Sequence, residues 1–212
     1  MRLCIVPMKP LADAKARLSE VLSPEERRAL SLAMLEDVVR AGRALDAVWV
    51  LNSDADAAET AVRAGAEARP DPAPGQGLNA SLMAATKEAI DAGARGVLVL
   101  SADCPAASQA DVRALALGTG VVLGPNLDLT GTNALWRSPP DAIELHFGPR
   151  SRIAHQSIAR GAGIPFAIVP RQGVALDVDR PRDLDAAWRA PSLGEATRAM
   201  LGKLGYPARS GR

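Results

Sequence analysis

The chain has 212 residues, 25 Lys and Arg against 24 Asp and Glu, a formal net charge of +1, and 48% hydrophobic and 23% charged residues. This is ordinary globular usage at the size of one domain, so disorder, a collagen-like rod and a disulfide scaffold are excluded. A near-neutral balance argues against a chain built to grip nucleic acid or an anionic membrane. No apolar run reaches the roughly 18 to 20 residues that span a bilayer, so a cytoplasmic protein with a small-molecule ligand is expected.

The first element is the run Leu3 to Val6, short, β-branched and stopped by Pro7, which reads as a strand buried on both faces of a parallel sheet. Ser23-Pro24-Glu25-Glu26 combines an N-cap serine, a proline at the first helical position and a glutamate three residues after the cap. A helix is predicted from there towards Arg43, with Leu30, Met34, Val38 and Ala41 facing inward. A strand over Ala47 to Leu51, a helix over Asp54 to Arg63 and a short strand over Ala66 to Arg69 follow. The turn-rich stretch Asp71 to Gly77 then leads into a helix from Asn79 to Ala92.

Gly96 to Ser101 is the clearest buried strand and ends in Ala102-Asp103-Cys104-Pro105; Ser108 caps the next helix, and Val121 to Leu123 is another strand. Beyond Pro125, Gly131 to Trp136 reads as a loop into a strand, Ser151 to Ala162 as a helix, Ile164 to Val169 and Val174 to Val178 as strands, and Pro181 to Trp188 as a closing helix. With no internal repeat and no linker, one domain over residues 1–209 is expected, with 210–212 as a frayed tail. Strands alternating with helices point to a mostly parallel sheet covered on both faces, an α/β/α sandwich whose ligands bind beyond the carboxyl ends of the strands.

Several residues near that edge carry chemistry. Lys9, Lys15 and Arg17 follow the first strand, and three cations at a strand exit suit a triphosphate, although solvated surface cations would look the same. The segment is neither a Walker A loop nor a Gly-x-Gly-x-x-Gly turn. Asp103 follows the most hydrophobic strand and can hold Mg²⁺, which needs only one or two protein carboxylates, or it can simply cap a turn. Asp177 and Asp179 share one side of an extended segment; Asp177 suits the metal better and Asp179 suits the cap of the helix at Pro181.

Gly77 and Asn79 open a helix, where the glycine lets a ligand approach and the asparagine reads a nucleobase or caps the helix. Ser151, helped by Arg150, offers an anion site at a helix start or a plain serine cap. His146 and His155 are more readily explained by structural hydrogen bonds or solvent exposure than by acid–base work. Cys4 and Cys104 lack metal-ligand spacing and read as buried thiols.

Pro7-Met8-Lys9-Pro10 with Ala14 to Leu18, Gly77 to Leu82, Ser101 to Pro105, Gly131 to Leu135, Phe147-Gly148 and Leu176 to Asp179, in that order and spacing, resemble one enzyme family over about Met1 to Leu184. It is the 2-phospholactate guanylyltransferase family of deazaflavin coenzyme F-420 biosynthesis, with its phosphoenolpyruvate and 3-phosphoglycerate versions. The resemblance implies a MobA-like nucleotidyltransferase of the nucleotide-diphospho-sugar transferase, or glycosyltransferase-A-like, fold. It implies that GTP and a phosphorylated three-carbon acid give a guanosine diphospho-linked acid and pyrophosphate, with Mg²⁺ as cofactor.

Carried over by residue, Asp103 with Asp177 or Asp179 would hold Mg²⁺, and Lys9, Lys15 and Arg17 the triphosphate. Gly77 and Asn79 would belong to the guanosine site, while Thr132, Asn133, Gly148 and Ser151 would hold the acid. The family commonly has glycine at Arg150, so that side chain would add a charge contact to the acceptor or change which acid fits. All three acids stay open, with phosphoenolpyruvate preferred. The C-terminal apolar spacing permits a homodimer, and a downstream F-420 transferase is an implied partner. The runner-up readings are a molybdenum-cofactor-type nucleotidyltransferase, which would open with a glycine-rich loop absent here, and a non-catalytic nucleotide-binding module.

Overall fold

The computed structural model describes residues 1–206. The tail expected over 210–212 lies outside the described residues. Those residues form a seven-stranded sheet in the order β3-β2-β1-β4-β6-β5-β7. The strands are β1 (Arg2–Pro7), β2 (Ala47–Asn52), β3 (Glu67–Pro70), β4 (Gly96–Leu100), β5 (Gly120–Pro125), β6 (Thr132–Ser138) and β7 (Phe166–Ile168). Every pairing is parallel except those of β6, which runs against both β4 and β5.

Helices cover both faces. On one side α1 (Pro24–Gly42), α2 (Ala55–Ala64) and α4 (Gln109–Leu115) bury Leu35, Val38, Ala61, Val112 and Leu115 against Cys4, Val50, Leu98 and Trp136. On the other, α3 (Leu78–Asp91) and α5 (Ser151–Gly161) bury Leu82, Ala85 and Ala159 against Ile5, Val97, Val99 and Leu135. The run Val97 to Leu100 is hydrophobic throughout because alternate side chains serve both layers, each worth about 1.5–3 kcal/mol on burial. A third cluster joins Leu30 and Met34 to α7 (Pro181–Arg189) and α8 (Glu195–Lys203) through Leu184, Ala187 and Leu201. The inward stripe expected on α1 is therefore split, its first half serving this cluster and its second half the sheet.

Local chemistry explains most boundaries. Ser23 and Glu26 form the reciprocal capping box expected at the start of α1, and Ser108 with Asp111 form another at α4. α8 begins without a cap of its own. Its Ala196 and Thr197 amides donate to the buried Asp37 carboxylate of α1, at 3.1 and 2.7 Å, so its signal lies some 160 residues away in the chain. Cys4 and Cys104 are both buried and form no disulfide.

Four expectations are corrected. Val174 to Val178 is not a strand: residues Gln172–Ala175 form a short helix, α6, followed by irregular chain. Gly173 there packs so tightly that an added Cβ would meet the Ala106 carbonyl oxygen at 2.2 Å, and that contact overrides the alternating pattern. Asn79 does not cap α3 and Ser151 does not cap α5; Gly77 and Arg150 occupy those positions, at φ of 88° and 58°. Arg180, not Asp179, occupies the cap position of α7, where Asp183 accepts from the Asp179 and Arg180 amides. Among the described residues no helix is long and apolar enough to cross a membrane.

Candidate active site

The sheet order reverses direction between β1 and β4, which is where an open α/β sheet forms its ligand crevice. Because β6 is antiparallel, its first residues arrive at the edge that β1 and β4 leave. Ala134 lies opposite Leu100, and the Ser101 amide donates to the Asn133 carbonyl at 2.9 Å.

Chain 8–18, between β1 and α1, forms a strap over this edge. It contains two single-turn 3-10 segments, Leu11–Asp13 and Ala16–Leu18, with Lys15 between them at φ 53°, ψ 41°. A left-handed lysine is sterically costly, of order 1–3 kcal/mol, and is kept only where its surroundings dictate it. Here the conformation goes with an inward-turned ammonium: Lys15 Nζ lies 2.7 Å from Asp103 Oδ2, and the lysine side chain is only 11% exposed. Ser101 Oγ donates to the other carboxylate oxygen at 2.6 Å. Burial alone would raise the Asp103 pKa, but the Lys15 charge and the hydrogen bonds from Lys15 and Ser101 outweigh it, so Asp103 ionises below the usual carboxylate range.

Asp177 is brought alongside. The Val178 amide donates to the Asp103 carbonyl at 2.9 Å, stitching the two segments together. Asn133 Nδ2 donates to Asp177 Oδ1 at 3.0 Å and to the Val174 carbonyl at 2.9 Å. Burial, and then the negative charge of Asp103, hold Asp177 above the ordinary carboxylate range despite the Asn133 bond. Asp179 points elsewhere and pairs with Arg17, whose side chain is 65% exposed. Lys9 is exposed on the strap.

Two hard carboxylates in a part-buried crevice, one held ionised by Lys15 and the other raised by burial and by the charge of the first, are the donor set that suits Mg²⁺, which takes one or two protein carboxylates and fills its shell with water and phosphate oxygens. Among the described residues no group of three or more His, Cys, Asp or Glu side chains is placed to share a metal. The structure thus brings together Asp103 and Asp177, and holds Asp179 against Arg17.

The expected acceptor residues assemble beside this cluster by a different device. Thr132 Oγ1 lies 3.1 Å from His155 Nδ1, and His155 Nε2 accepts from the His146 amide at 2.9 Å. An amide can only donate, so Nε2 is the unprotonated nitrogen and Nδ1 carries the hydrogen towards Thr132. The ring is fully buried and stacks edge-on to Phe147 at 5.1 Å. Burial, and then the Arg137 guanidinium, push its pKa down to about 4. His155 is therefore a neutral structural group.

Asn79, expected to read a nucleobase, has both ends of its amide engaged by protein: Oδ1 accepts from the Phe147 amide at 2.7 Å and Nδ2 donates to the Phe147 carbonyl at 3.0 Å. Gly148 follows at φ 138°, with nothing within 4 Å of an added Cβ, so its backbone is open to a ligand. Ser151 is buried in the first turn of α5, while Arg150 is exposed.

Sequence reasoning overlooked Ser101 and the Asp111–Arg171 ion pair at 2.7 Å that anchors the start of α6. It also overlooked Arg137, which is wholly buried on β6. Ser101 stood within a quoted motif; nothing local distinguishes Arg137 from an ordinary solvent-facing strand residue. A cavity of about 320 Å³ lined by Asn52, Asp54 and Arg69 lies at the carboxyl ends of β2 and β3, on the same edge as Asp103.

The family model described as Guanylyl transferase CofC like matches residues 1–209. The chain belongs to that family. It is thus a nucleotidyltransferase, an enzyme of the guanylyltransferase type. A phosphoenolpyruvate guanylyltransferase from Sphaerobacter thermophilus is 39% identical over 196 residues, covering 89% of this chain and 94% of the relative. One from Rubrobacter xylanophilus is 40% identical over 186 residues, covering 85% and 90%. A solved structure from Desulfovibrio desulfuricans, provisionally named a nucleotide-diphospho-sugar transferase, superposes with a TM-score of 0.79 at 18% identity, covering 99% and 97%. The fold is that of the nucleotide-diphospho-sugar transferases.

Proposed function

We propose that this guanylyltransferase joins the GMP moiety of GTP to the phosphate of phosphoenolpyruvate and releases pyrophosphate, as one domain over residues 1–209 working in the cytoplasm. The observation that carries the reading is the Asp103 and Asp177 pair beside Lys15 at the switch point of the sheet, next to an open Gly148 backbone. The names of relatives 39–40% identical over most of both chains support phosphoenolpyruvate as the acid.

Both reactants are polyanions, and mutual repulsion is a large part of the barrier. An acceptor phosphate oxygen attacks the α-phosphorus of GTP in line; the new P–O bond forms as the bond to the β-phosphate breaks, and the electron pair leaves with pyrophosphate. Lys9, Lys15 and Arg17 neutralise phosphate oxygens, and the largely exposed Arg17 can exchange Asp179 for a phosphate. Asp103 and Asp177 would hold Mg²⁺, which when bound would neutralise charge on the triphosphate and leaving group.

Thr132, Gly148 and the first turn of α5 at Ser151 receive the acid's phosphate and carboxylate, with Arg150 on the rim and Asn133 holding Asp177 in place. The Gly77 turn and the open depression beyond β2 and β3 accept the nucleoside. An acceptor phosphate is already ionised near pH 7, so no strong base is required, in keeping with a histidine locked neutral. Pyrophosphate release from GTP and Mg²⁺ is the test, with phosphoenolpyruvate, 2-phospholactate and 3-phosphoglycerate supplied separately. Release with phosphoenolpyruvate is expected; silence with all three, despite GTP binding, would overturn the reading.

A further inference from the structure

Four backbone groups of the segment 143–147 are held by side chains from three different elements. Arg137 of β6 donates to the Ile143 carbonyl at 3.1 Å, His155 of α5 accepts from the His146 amide, and Asn79 of α3 takes both the amide and the carbonyl of Phe147. Such density of pins on one short irregular stretch is unusual, since loops commonly satisfy their backbone with water. The stretch ends at Gly148, whose carbonyl accepts from the Ser151 amide at 3.1 Å, and at Arg150, held left-handed at φ 58°. The pinned segment therefore aims the open Gly148 backbone and the first turn of α5.

Asn79 stands apart among the pins because it comes from the other half of the site. It sits in the first turn of α3, two residues after Gly77, and reaches 68 residues along the chain to Phe147. Its amide mimics a peptide group, pairing with an N–H and a C=O of one residue as a neighbouring strand would. Only asparagine supplies an acceptor and a donor at this reach: aspartate would set a second acceptor against the Phe147 carbonyl, and leucine would offer neither group. The amide's orientation is fixed by the partner, because the Phe147 N–H must donate and its carbonyl must accept.

We infer that Asn79 is a positioning residue for the acceptor acid, acting through Phe147 to set Gly148 and the start of α5 in register with the nucleotide loop, and not a reader of the nucleobase. The inference rests on the guanylyltransferase reading proposed above and says which half of that site Asn79 serves. Displacing a positioned group by about 1 Å can cost on the order of 10²-fold in rate, so a lost clasp should be visible in the kinetics of one substrate and absent from those of the other.

The experiment uses the full chain and the variants Asn79→Leu and Asn79→Asp, the second nearly isosteric should the first fold poorly. Three quantities are read: the KM for phosphoenolpyruvate, the equilibrium dissociation constant for a fluorescent GTP analogue with Mg²⁺, and amide hydrogen exchange across residues 143–151. The expected result is a rise in the acid's KM of roughly tenfold or more, GTP-analogue binding within about twofold of wild type, and faster exchange confined to that segment. GTP-analogue binding weakened tenfold with the acid's KM unchanged would show direct nucleotide reading and overturn the inference. Unchanged exchange across 143–151, or a lower melting temperature with both constants unaltered, would overturn it as well. A wild-type chain that releases pyrophosphate with none of the three acids would instead sink the functional reading itself, and the acceptor role with it.

Discussion

The two halves of the site are built from different physics. The nucleotide half, formed by the strap after β1 and the ends of β4 and α6, works with net charge: Lys15 against Asp103, Arg17 against Asp179, and Asp177 raised by its own burial and by Asp103. The acceptor half, formed by β6, segment 143–150 and α5, works with neutral hydrogen bonds that fix a backbone: Thr132 to His155, His155 to His146, Asn79 to Phe147. The exposed Arg17–Asp179 pair contributes little to folding, about 0–1 kcal/mol, whereas the part-buried Lys15–Asp103 pair and the buried polar network are costly to leave half-satisfied. Damage to the exposed Arg17 should therefore appear in turnover alone, and damage to Asp103 or to the second half in both turnover and stability.

The sharpest way to break this contrast is Asp103→Asn. It removes the carboxylate that Lys15 and Ser101 address and should lower kcat/KM on the order of 10³-fold or more, as pyrophosphate release would show. The melting temperature should fall as well, since the substitution leaves the Lys15 ammonium, only 11% exposed, without its charged partner. Near-normal turnover with normal Mg²⁺ dependence would remove Asp103 from the metal site.

His155 gives the next largest effect and belongs to the other half. Its pKa is about 4 in the folded chain against 6.5 for the free side chain. Between these values the unfolded chain binds a proton that the native chain does not, so stability is fully present above about pH 6.5 and is lost as pH falls towards 4. The loss is on the order of 3 kcal/mol by linkage. Urea melts across that range should show the decline in wild type and a flatter profile in His155→Gln. Parallel slopes in the two proteins would mean that His155 is not held neutral.

Gly173→Ala probes the seam between the halves, where a Cβ would press on the Ala106 carbonyl and displace α6, from which Asp177 hangs. Overpacking of this kind costs about 1–3 kcal/mol, so the urea midpoint and the turnover should fall together. The smallest expected effect is Arg17→Ala, which removes an exposed partner of Asp179 and should raise the KM for GTP about tenfold while leaving the midpoint nearly untouched. A large stability loss in Arg17→Ala would erase the distinction between the halves.

The same division governs what could be read from the sequence. The nucleotide half announces itself locally: the buried run Val97 to Leu100 delivers Asp103 to the sheet edge, and cations cluster directly after β1. The acceptor half is assembled from distant partners: Ser151 and Arg150 stood out as a helix-start anion site, Thr132, Asn133 and Gly148 came only through the resemblance, and none of their contacts was legible. Asn79 looked like a cap or a base reader because its partner lies 68 residues away, and Arg137 sat unnoticed in a strand pattern. Val174 to Val178 alternates like a strand, yet Asn133 takes the Val174 carbonyl and Gly173 is pressed against Ala106, so tertiary contacts chose a helical turn. α8 escaped notice for the same reason, its cap being Asp37 of α1.

The most direct test of guanylyl transfer is to follow two labels in parallel, with phosphoenolpyruvate and Mg²⁺ present: GTP labelled at the α-phosphate and GTP labelled at the γ-phosphate. Transfer predicts that the α-label enters a new phosphatase-resistant adduct while the γ-label appears in pyrophosphate, one for one. The γ-label emerging as inorganic phosphate, with the α-label left in GDP, would show a simple GTPase and contradict it.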